Sequence, residues 1–321
     1  MEINICSISE KEYESLETGL ALDLPLWIKP NSVKCYKNKE ILAIYRKDKL
    51  VGVYVLPWRE EDGCKFVERG YRFFPYLSPI IFEKNIEKRR SIIISLFKYI
   101  FLNYDAMYMP FAPDFKDISA VAELGGFFEC RHTQVIKNEL NLLDMSSKLR
   151  NHIKKAMSEI EIKVEYDLQN FNFELAIKGN KDERCSRKIS AGNLLNNKDA
   201  KIYNAYHHGQ VVAGILVCFD NKTATYLHSW QEANTPRGTV SYLLQYAIND
   251  AFRINHVKEF DLEGSVMHSI DKFFNNFGGE YVIYPYLHYA KKYEFFEKLI
   301  NTSKDIEGRK SLDFGGVKDE H

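Results

Sequence analysis

Two stretches of the sequence, AMYMPFAPDFKDISAVAELGGFF at 106–128 and EFDLEGSVMHSIDKFFNNFGGEY at 259–281, present the same features in the same order. Each begins with an apolar strand-like segment, continues through a loop and a helical segment to a pair of glycines, and ends on an aromatic strand. The glycine pairs, Gly125-Gly126 and Gly278-Gly279, lie 153 positions apart, and an apolar helix precedes each copy. Self-similarity at a fixed offset predicts two domains of one kind.

The length agrees with two domains. A chain of 321 residues is too long for one ordinary core. The offset places the boundary near residue 140. We therefore predict an N-terminal domain at 1–140, a C-terminal domain at 141–300, and a polar tail at 301–321 that we expect to be poorly ordered.

Composition and charge exclude several classes of protein. Basic and acidic residues number 44 each, so the formal net charge is zero and no overall field attracts nucleic acid or a membrane. The N-terminus lacks the pattern of a signal peptide. The most apolar stretch, 91–102, is short and contains Lys98, which predicts a half-buried helix rather than a membrane span. The six cysteines lack metal-ligand spacing, so we expect free thiols, no metal and a cytoplasmic location.

Hydrophobic periodicity predicts a mixed α/β (α+β) chain. Ser9 and Glu12 form a capping box that begins a short helix. The predicted strands are 40–45, 50–57, 106–111, 127–136, 162–166, 201–206, 211–218, 224–230, 259–262 and 282–288. The predicted longer helices are 87–102, 116–124, one capped by Asp144 or Ser146, 173–178, 237–255, 266–276 and 291–299, with a polar basic segment at 181–188.

Four motifs carry a resemblance to a known family. They are the basic helix SKLRNHIKKA at 147–156, the strand end LHSW at 227–230, PRGT at 236–239, and FDLEGS at 260–265 followed by FGG at 277–279. In this order and spacing they resemble the FemAB/FemX-like branch of the GNAT superfamily, over about 133–290. The resemblance implies tandem GNAT-like domains, each a mixed, mostly antiparallel sheet flanked by helices. It also implies transfer of an acyl or aminoacyl group to an amine.

The segment Arg237-Gly238-Thr239-Val240-Ser241 is the candidate binding site for the phosphates of an acyl-CoA donor such as acetyl-CoA. A helix N-terminus offers unpaired N–H groups, glycine permits close backbone approach, and arginine binds phosphate through its fork. The usual loop of the superfamily has more glycines than the single Gly238 found here. The alternative is an ordinary loop before a helix, capped by Thr235.

Asp261 and Glu263 are the candidate general bases. They alternate with Phe260 and Leu262, which predicts that both carboxylates project from one face of a strand. The matching positions of the first copy hold Tyr108 and Pro110, so the C-terminal domain is predicted to be catalytic and the N-terminal domain non-catalytic. The alternative is that these carboxylates make structural contacts to Ser265, His268 or a basic helix.

Four further residues are candidates for the site. His228 and Trp230 share one face of a strand, where we expect a catalytic and a substrate-binding role, or else a hydrogen-bonded histidine and a packed indole. Arg150, Lys154 and Arg187 are candidates for holding an anionic acceptor, such as a nucleotide-linked precursor. The alternative for these cations is a solvated helix face.

Taken together, the sequence predicts an N-acyltransferase that moves an acyl group from acyl-CoA to an amine on a small molecule or cell-envelope precursor. One rival is a FemX-like transferase that uses aminoacyl-tRNA, disfavoured by the neutral charge and the lack of a long heptad insertion. The other is a non-catalytic ligand-binding protein of the same fold. The pattern leaves the acyl group, the acceptor and the oligomeric state open.

Overall fold

The computed structural model describes residues 2–20, 22, 24–68, 74–177, 181–263, 268–295 and 297–298. The predicted tail at 301–321, the Gly264-Ser265 end of the FDLEGS motif and the first residues of the helix predicted at 266–276 lie outside the described residues.

The described residues include all ten predicted strands, in the predicted order, and three strands that were not predicted, at 3–8, 64–68 and 80–81. The strands are β1 (Ile3–Ile8), β2 (Lys39–Arg46), β3 (Lys49–Glu61), β4 (Cys64–Glu68), β5 (Ile80–Ile81), β6 (Ala106–Pro110), β7 (Phe127–Ile136), β8 (Glu161–Glu165), β9 (Ala200–His207), β10 (Gln210–Phe219), β11 (Thr223–Gln231), β12 (Glu259–Asp261) and β13 (Glu280–Ala290). The helices are α1 (Glu10–Leu20), α2 (Pro30–Val33), α3 (Ile86–Asn103), α4 (Ile118–Ala122), α5 (Ser147–Glu159), α6 (Phe173–Ala176), α7 (Lys181–Asn196), α8 (Thr239–Arg253) and α9 (His268–Phe274).

Two predicted caps are present. Glu12 accepts hydrogen bonds from the Ser9 backbone N–H, at 2.8 Å, and from the Ser9 hydroxyl, at 2.7 Å. The Ser146 hydroxyl accepts from the Leu149 N–H and begins α5. Both helices therefore start where the capping residues predicted.

Two helices, α2 and α7, were not predicted, and α7 is the longer one. The segment at 181–188, interpreted as polar and basic, is the first half of the 16-residue helix α7. The apolar side chains that α7 buries, Ala191, Leu194 and Leu195, come only in its last two turns. Because the first two turns contain charged residues on every side, the 3.6-residue pattern is too short to detect there.

The strands form one 13-stranded mixed sheet in which the two halves exchange a strand. The strand order is β1-β2-β3-β4-β6-β13-β7-β12-β11-β10-β9-β8, with β5 beside β3. β7, from the first half of the sequence, pairs with β12 of the second half. β13, from the second half, pairs with β6 of the first half. The predicted boundary near 140 falls just after β7 along the chain. In the sheet, however, β7 lies with the strands that follow this boundary, and β13 lies beside β6, with the strands that precede it.

The β7–β13 ladder shows that the predicted repeat is also a spatial one. Phe127 lies opposite His288, and Val135 lies opposite Glu280. Shifting each residue by the repeat offset converts one pair into the other, and converts the Arg131–Tyr284 pair into itself. A local pseudo-twofold axis therefore passes between Arg131 and Tyr284, as in a symmetric dimer.

Helices cover both faces of the second half of the sheet. The side chains of β10 alternate between two cores: Ala213, Ile215 and Val217 pack with α5 and α8. Leu216 and Cys218 share the other core with Leu194 of α7. α5 and α7 therefore lie on opposite faces of the sheet. In the described part of the chain, no helix combines the length and the apolar character that a membrane span requires.

Candidate active site

The pairing of β11 with β12, the two parallel strands at the centre of the second half, ends after three residues, and the gap beyond the paired residues is here called the cleft. The two strands pair only over Thr223–Thr225 and Glu259–Asp261. Beyond that point the Leu262 N–H donates to the Gln134 carbonyl of β7, at 2.9 Å, while β11 stays paired with β10 as far as Gln231. The register of β11 shifts after Tyr226, which marks a β-bulge at the cleft. The two strands therefore diverge beyond Thr225 and Asp261.

The N-terminus of α8 lies beside this cleft and is held by α5. Gly238 is its N-cap, in the left-handed conformation with φ of 92°. A Cβ on Gly238 would lie 2.4 Å from the His152 carbonyl oxygen of α5. The sequence predicted that a ligand would come close to the backbone of Gly238. In the structure the backbone of α5, at His152, lies this close to it. The suggested capping role of Thr235 was wrong, since its hydroxyl donates to the Val212 and Glu232 carbonyls.

The same contact brings positive charge to the α8 N-terminus. Arg237 is exposed, and desolvation together with the charges of Arg237 and Lys148 lowers the pKa of His152. The first i→i−4 bond of α8 runs from the Tyr242 N–H to the Gly238 carbonyl, so the amides of Val240 and Ser241 precede the helical ladder. An anion here would meet those two amides and the cations around them.

Thr239 differs from the other residues of the predicted phosphate loop. It is fully buried, and its hydroxyl donates to the Pro236 carbonyl at 2.7 Å. Thr239 therefore shapes the turn before α8. Of the five predicted residues, Gly238 and Thr239 are engaged in contacts within the protein. Ligand binding by Arg237, Val240 and Ser241 remains a prediction.

Asp261 is a buried carboxylate that accepts three hydrogen bonds. The donors are the Tyr76 hydroxyl at 2.8 Å, the Thr133 hydroxyl at 2.5 Å and the Glu263 N–H at 2.9 Å. Burial raises the pKa of Asp261, and these three hydrogen bonds oppose that effect. A carboxylate so enclosed is placed to orient its donors, and little of its surface is open to an incoming amine.

Glu263 takes a different direction from the predicted one. β12 ends at Asp261, and Glu263 has φ of 59°, so the strand alternation that put both carboxylates on one face was wrong. The negative charge of Glu263 contributes to raising the pKa of Tyr226, to about 12, after the larger effect of burial. Glu263, half-buried on the β12 side of the cleft, therefore lies near Tyr226, which follows the last paired residue of β11.

His228 and Trp230 lie on the α7 side of the sheet. Arg187 of α7 places NH1 3.4 Å from His228 Nε2, and its NH2 donates to Glu183 at 2.6 Å. Desolvation, followed by the charge of Arg187, holds the pKa of His228 well below its usual value. His228 is therefore neutral at physiological pH. Trp230 packs in the core, with its ring 6.4 Å from that of Phe171.

The three cations predicted to hold an anionic acceptor are not brought together. Arg150 and Lys154 belong to α5, on one face of the sheet, and Arg187 belongs to α7, on the other. The Arg150 guanidinium lies 3.5 Å from the Leu143 carbonyl. Lys154 is exposed, as a solvated helix face requires. One small molecule cannot contact all three.

The equivalent cleft of the first half is closed. β4 and β6 are parallel over Phe66–Glu68 and Ala106–Tyr108, as β11 and β12 are. Residues 74–78, here called the closing segment, then bind the end of β6: the Leu77 N–H donates to the Pro110 carbonyl and the Ser78 hydroxyl accepts from the Ala112 N–H. Aromatic side chains fill the adjoining core, namely Phe66, Tyr76, Tyr108, Tyr284 and Tyr286.

A separate cavity of about 460 Å³ lies where β7 leads into α5. Its lining includes Ile136, Asn141, Met145 and Phe277, and contains none of the predicted site residues. Among the residues that the structure describes, no group of three or more His, Cys, Asp or Glu side chains is arranged to hold a metal ion.

Sequence reasoning missed three residues of this region. Tyr76 and Thr133 bind Asp261, and Tyr226 lies at the base of the cleft. Lys148 and His152 were part of the basic-helix motif, but the sequence did not predict that the charges of Arg237 and Lys148 both act on His152. Tyr76 and Thr133 join the site through contacts between segments distant in sequence.

Comparison with solved structures identifies the fold. FemX has a TM-score of 0.63 and 11% identity over 92% of this chain and 99% of that one. A tandem GNAT protein from the clavulanic acid biosynthesis pathway has a TM-score of 0.56 and 9% identity, covering 89% of this chain and 98% of that one. A GNAT-family acetyltransferase from Colwellia psychrerythraea has a TM-score of 0.53 and 14% identity, covering 89% and 99%. The chain therefore has the tandem GNAT/FemX-like fold expected from its motifs. No protein-family model and no curated protein sequence matches it.

Proposed function

We propose that the chain is an acyltransferase that moves an acyl group from an acyl-CoA donor to an amine, with its chemistry in the cleft between β11 and β12. The observation that carries the proposal is the divergence of these strands beside the α8 N-terminus, with Glu263 on one wall. The equivalent opening in the first half is closed by residues 74–78, which supports a single active cleft.

The donor's phosphates bind at the N-terminus of α8. Arg237 supplies a charged fork, Val240 and Ser241 supply amides, and Lys148 and His152 of α5 add donors nearby. Helix N-termini favour anions through these unpaired N–H groups and the helix dipole. The single glycine of this loop is consistent with such a site, because Gly238 accommodates α5 and the ligand needs only the amides that follow it.

In the reaction, the amine nitrogen attacks the thioester carbonyl carbon, and the C–S bond breaks to release the thiolate. Backbone N–H groups of β11 beyond Thr225, where the pairing with β12 has ended, stabilise the oxyanion. Glu263 accepts the proton that the amine loses, directly or through one water. Asp261 orients Glu263 rather than acting as a second base, and neutral His228 orients Arg187.

The acceptor is an amine on a small molecule or a cell-envelope precursor, and the protein acts in the cytoplasm. The position of Glu263 and the resemblance of the motifs support this acceptor. Arg187 and His228 lie together on the α7 side of the sheet, which we assign to the acceptor.

The first test is a thermal-shift titration of the full chain with acetyl-CoA, longer acyl-CoAs, free CoA and mixed tRNA. A ligand at a hundred times its Kd adds about 2.7 kcal/mol to the free energy of unfolding. We expect stabilisation by one acyl-CoA, reduced in Arg237→Ala and retained in Arg253→Ala at the other end of α8. Stabilisation by tRNA alone would favour the aminoacyl-tRNA-dependent reaction, and no shift with any of these would favour a non-catalytic binding protein.

Replacing the proposed base should abolish most of the turnover. We expect Glu263→Gln to lower kcat about 100-fold or more, the usual contribution of a general base, with little change in the unfolding midpoint. Turnover is followed as thiol release from the acyl-CoA that binds, with a panel of primary amines. Glu259→Gln, at the opposite end of β12, is the control. Equal turnover of Glu263→Gln and the wild type would remove Glu263 as the base.

A further inference from the structure

The closing segment of the first cleft reaches into the second. Tyr76 lies in this segment and is almost completely buried. Its ring makes edge contacts with Trp27, at 5.8 Å between centroids, and with Tyr284, at 5.2 Å. Its hydroxyl donates to Asp261 Oδ2 at 2.8 Å, across a separation of 185 residues. A residue of the N-terminal half thus touches the end of β12 directly.

Asp261 transmits this contact to Glu263. Asp261 Oδ1 accepts the Glu263 N–H at 2.9 Å, two residues along the chain, in the manner of an Asx-turn. That bond fixes Glu263 in the left-handed region, at φ of 59°, where a non-glycine residue is strained. The conformation of Glu263 therefore depends on a charged acceptor at Asp261.

The charge on Asp261 in turn depends on its donors. The carboxylate is buried, and a buried charge persists only when it is hydrogen-bonded. Besides the Glu263 amide, its donors are the Tyr76 hydroxyl, on Oδ2, and the Thr133 hydroxyl, on Oδ1. Among the described contacts, Tyr76 supplies the donor to Oδ2.

We propose that Tyr76 is a positioning residue for the second cleft: its hydroxyl stabilises the Asp261 carboxylate, which holds the backbone of Glu263 in its left-handed turn. The N-terminal half is then part of the active centre, since the segment that closes its own cleft orients the base of the other. That Glu263 acts as a base rests on the proposed function; the chain of contacts from Tyr76 to Glu263 does not.

The test is amide hydrogen exchange at Glu263, measured by NMR on the full-length chain. Tyr76→Phe keeps the ring and removes only the hydroxyl. Weakening one hydrogen bond to a charged group should speed exchange of the Glu263 amide by about tenfold or more. Tyr54→Phe is the matched control, because the Tyr54 hydroxyl is equally buried in the same half and has no hydrogen-bond partner among the described residues. Unchanged Glu263 exchange in Tyr76→Phe, or equal acceleration in Tyr54→Phe, would overturn the proposal.

A double-mutant cycle separates this relay from general loosening of the fold. In an Asp261→Ala background both side-chain oxygens are absent and the relay is broken, so adding Tyr76→Phe should leave Glu263 exchange unchanged. Additive acceleration in the double variant would show that Tyr76 acts on Glu263 by another route and would overturn the relay. Thr133→Val removes the other side-chain donor and should also accelerate Glu263, which keeps the proposal testable if Tyr76→Phe folds poorly.

Ligand binding distinguishes failure of this proposal from failure of the proposed function. Acetyl-CoA should stabilise Tyr76→Phe as much as the wild type, because the α8 N-terminus is untouched. Once turnover is measured, Tyr76→Phe should lower kcat at constant KM after kcat is normalised to the folded fraction of the variant, a correction that removes the effect of loss of fold alone. If no acyl-CoA binds the wild type, the proposed function fails, while the exchange rate of the Glu263 amide still decides the role of Tyr76.

Discussion

Glu129 lies in an aromatic cluster on the central strands and is held by two partners. Arg131 donates to it through Nε at 2.7 Å and through NH2 at 3.1 Å. His288 Nε2 lies 3.2 Å from the same carboxylate, and the Arg131 guanidinium stacks 4.0 Å from the centre of the Tyr286 ring. Burial would raise the pKa of Glu129, but hydrogen bonds from His288 and Arg131, and their charges, lower it to about 2.

This pKa predicts an acid-sensitive contribution to stability. Because the pKa of Glu129 is lower in the folded chain than its ordinary 4.5, its contribution is complete above pH 4.5 and is lost as the pH falls towards about 2. We expect the free energy of unfolding to fall less between pH 5 and pH 3 in Glu129→Gln than in the wild type. Urea denaturation at each pH measures this difference. Glu280→Gln, at an exposed ion pair with Lys137, should follow the wild type, and identical slopes in all three proteins would contradict the prediction.

Single residues were predictable from the sequence where one element determines their position. Strand alternation correctly put His228 and Trp230 on one face, since both lie within β11. The same rule was wrong for Glu263, because β12 ends two residues earlier and an Asx-turn redirects the chain. Tyr76 could not be found, since its partner is 185 residues away and a tyrosine in a loop has no distinctive pattern.

Among the elements, the contact between α5 and α8 connects the two sides of the proposed donor site. Leu149, Ile153 and Ala156 of α5 pack in the same core as Leu243 and Ala247 of α8. Asn249 of α8 also binds both backbone groups of Leu140, at 2.7 and 3.1 Å, where the chain enters α5. The sequence predicted both helices from their periodicity, but two amphipathic patterns do not reveal which backbones touch.

Gly238 is the residue on which this contact depends, and its replacement tests it. A Cβ would meet the His152 carbonyl at 2.4 Å, and φ is 92°. We expect Gly238→Ala to lower the free energy of unfolding by about 2–4 kcal/mol, from overpacking and backbone strain together. Gly209→Ala, at φ of 78° with open space around it, should show only the strain, about 1 kcal/mol.

Urea denaturation of the two alanine variants separates these terms. A larger loss in Gly238→Ala than in Gly209→Ala supports close helix packing at Gly238. Equal losses would mean that α5 moves away from the new methyl group at little cost, and that the α8 N-terminus is less firmly held than its contacts indicate.

For the whole molecule, the repeat in the sequence predicted two similar units but not their exchange of strands. The spacing of strand, helix and glycine pair defines β6–α4–β7 and β12–α9–β13. Which strand β7 pairs with depends on edges formed elsewhere in the chain, and local patterns contain no information on that choice. The predicted division at 140 remains a prediction about the order of the units along the chain.

The exchange predicts that the two halves do not fold separately. A fragment of residues 1–140 keeps β7 but lacks β13, and a fragment of residues 141–321 has the converse defect. We expect each fragment alone to lack a cooperative urea transition, and the co-expressed pair to recover the circular dichroism spectrum of the intact chain. Cooperative unfolding of the C-terminal fragment by itself would contradict this expectation.

Synthesis on the ribosome gives the strand exchange a further consequence. When the first half has emerged, the position beside β6 is vacant, and β13, which fills it, is among the last described segments to be made. The nascent chain must therefore protect an open sheet edge while more than a hundred further residues, 137–279, are translated, which at typical rates takes on the order of ten seconds. The sheet is completed only when β13 pairs with β6. A ribosome that stalls within the second half therefore leaves a product in which the edge of β6 is unpaired, and such a product is expected to bind chaperones or to aggregate.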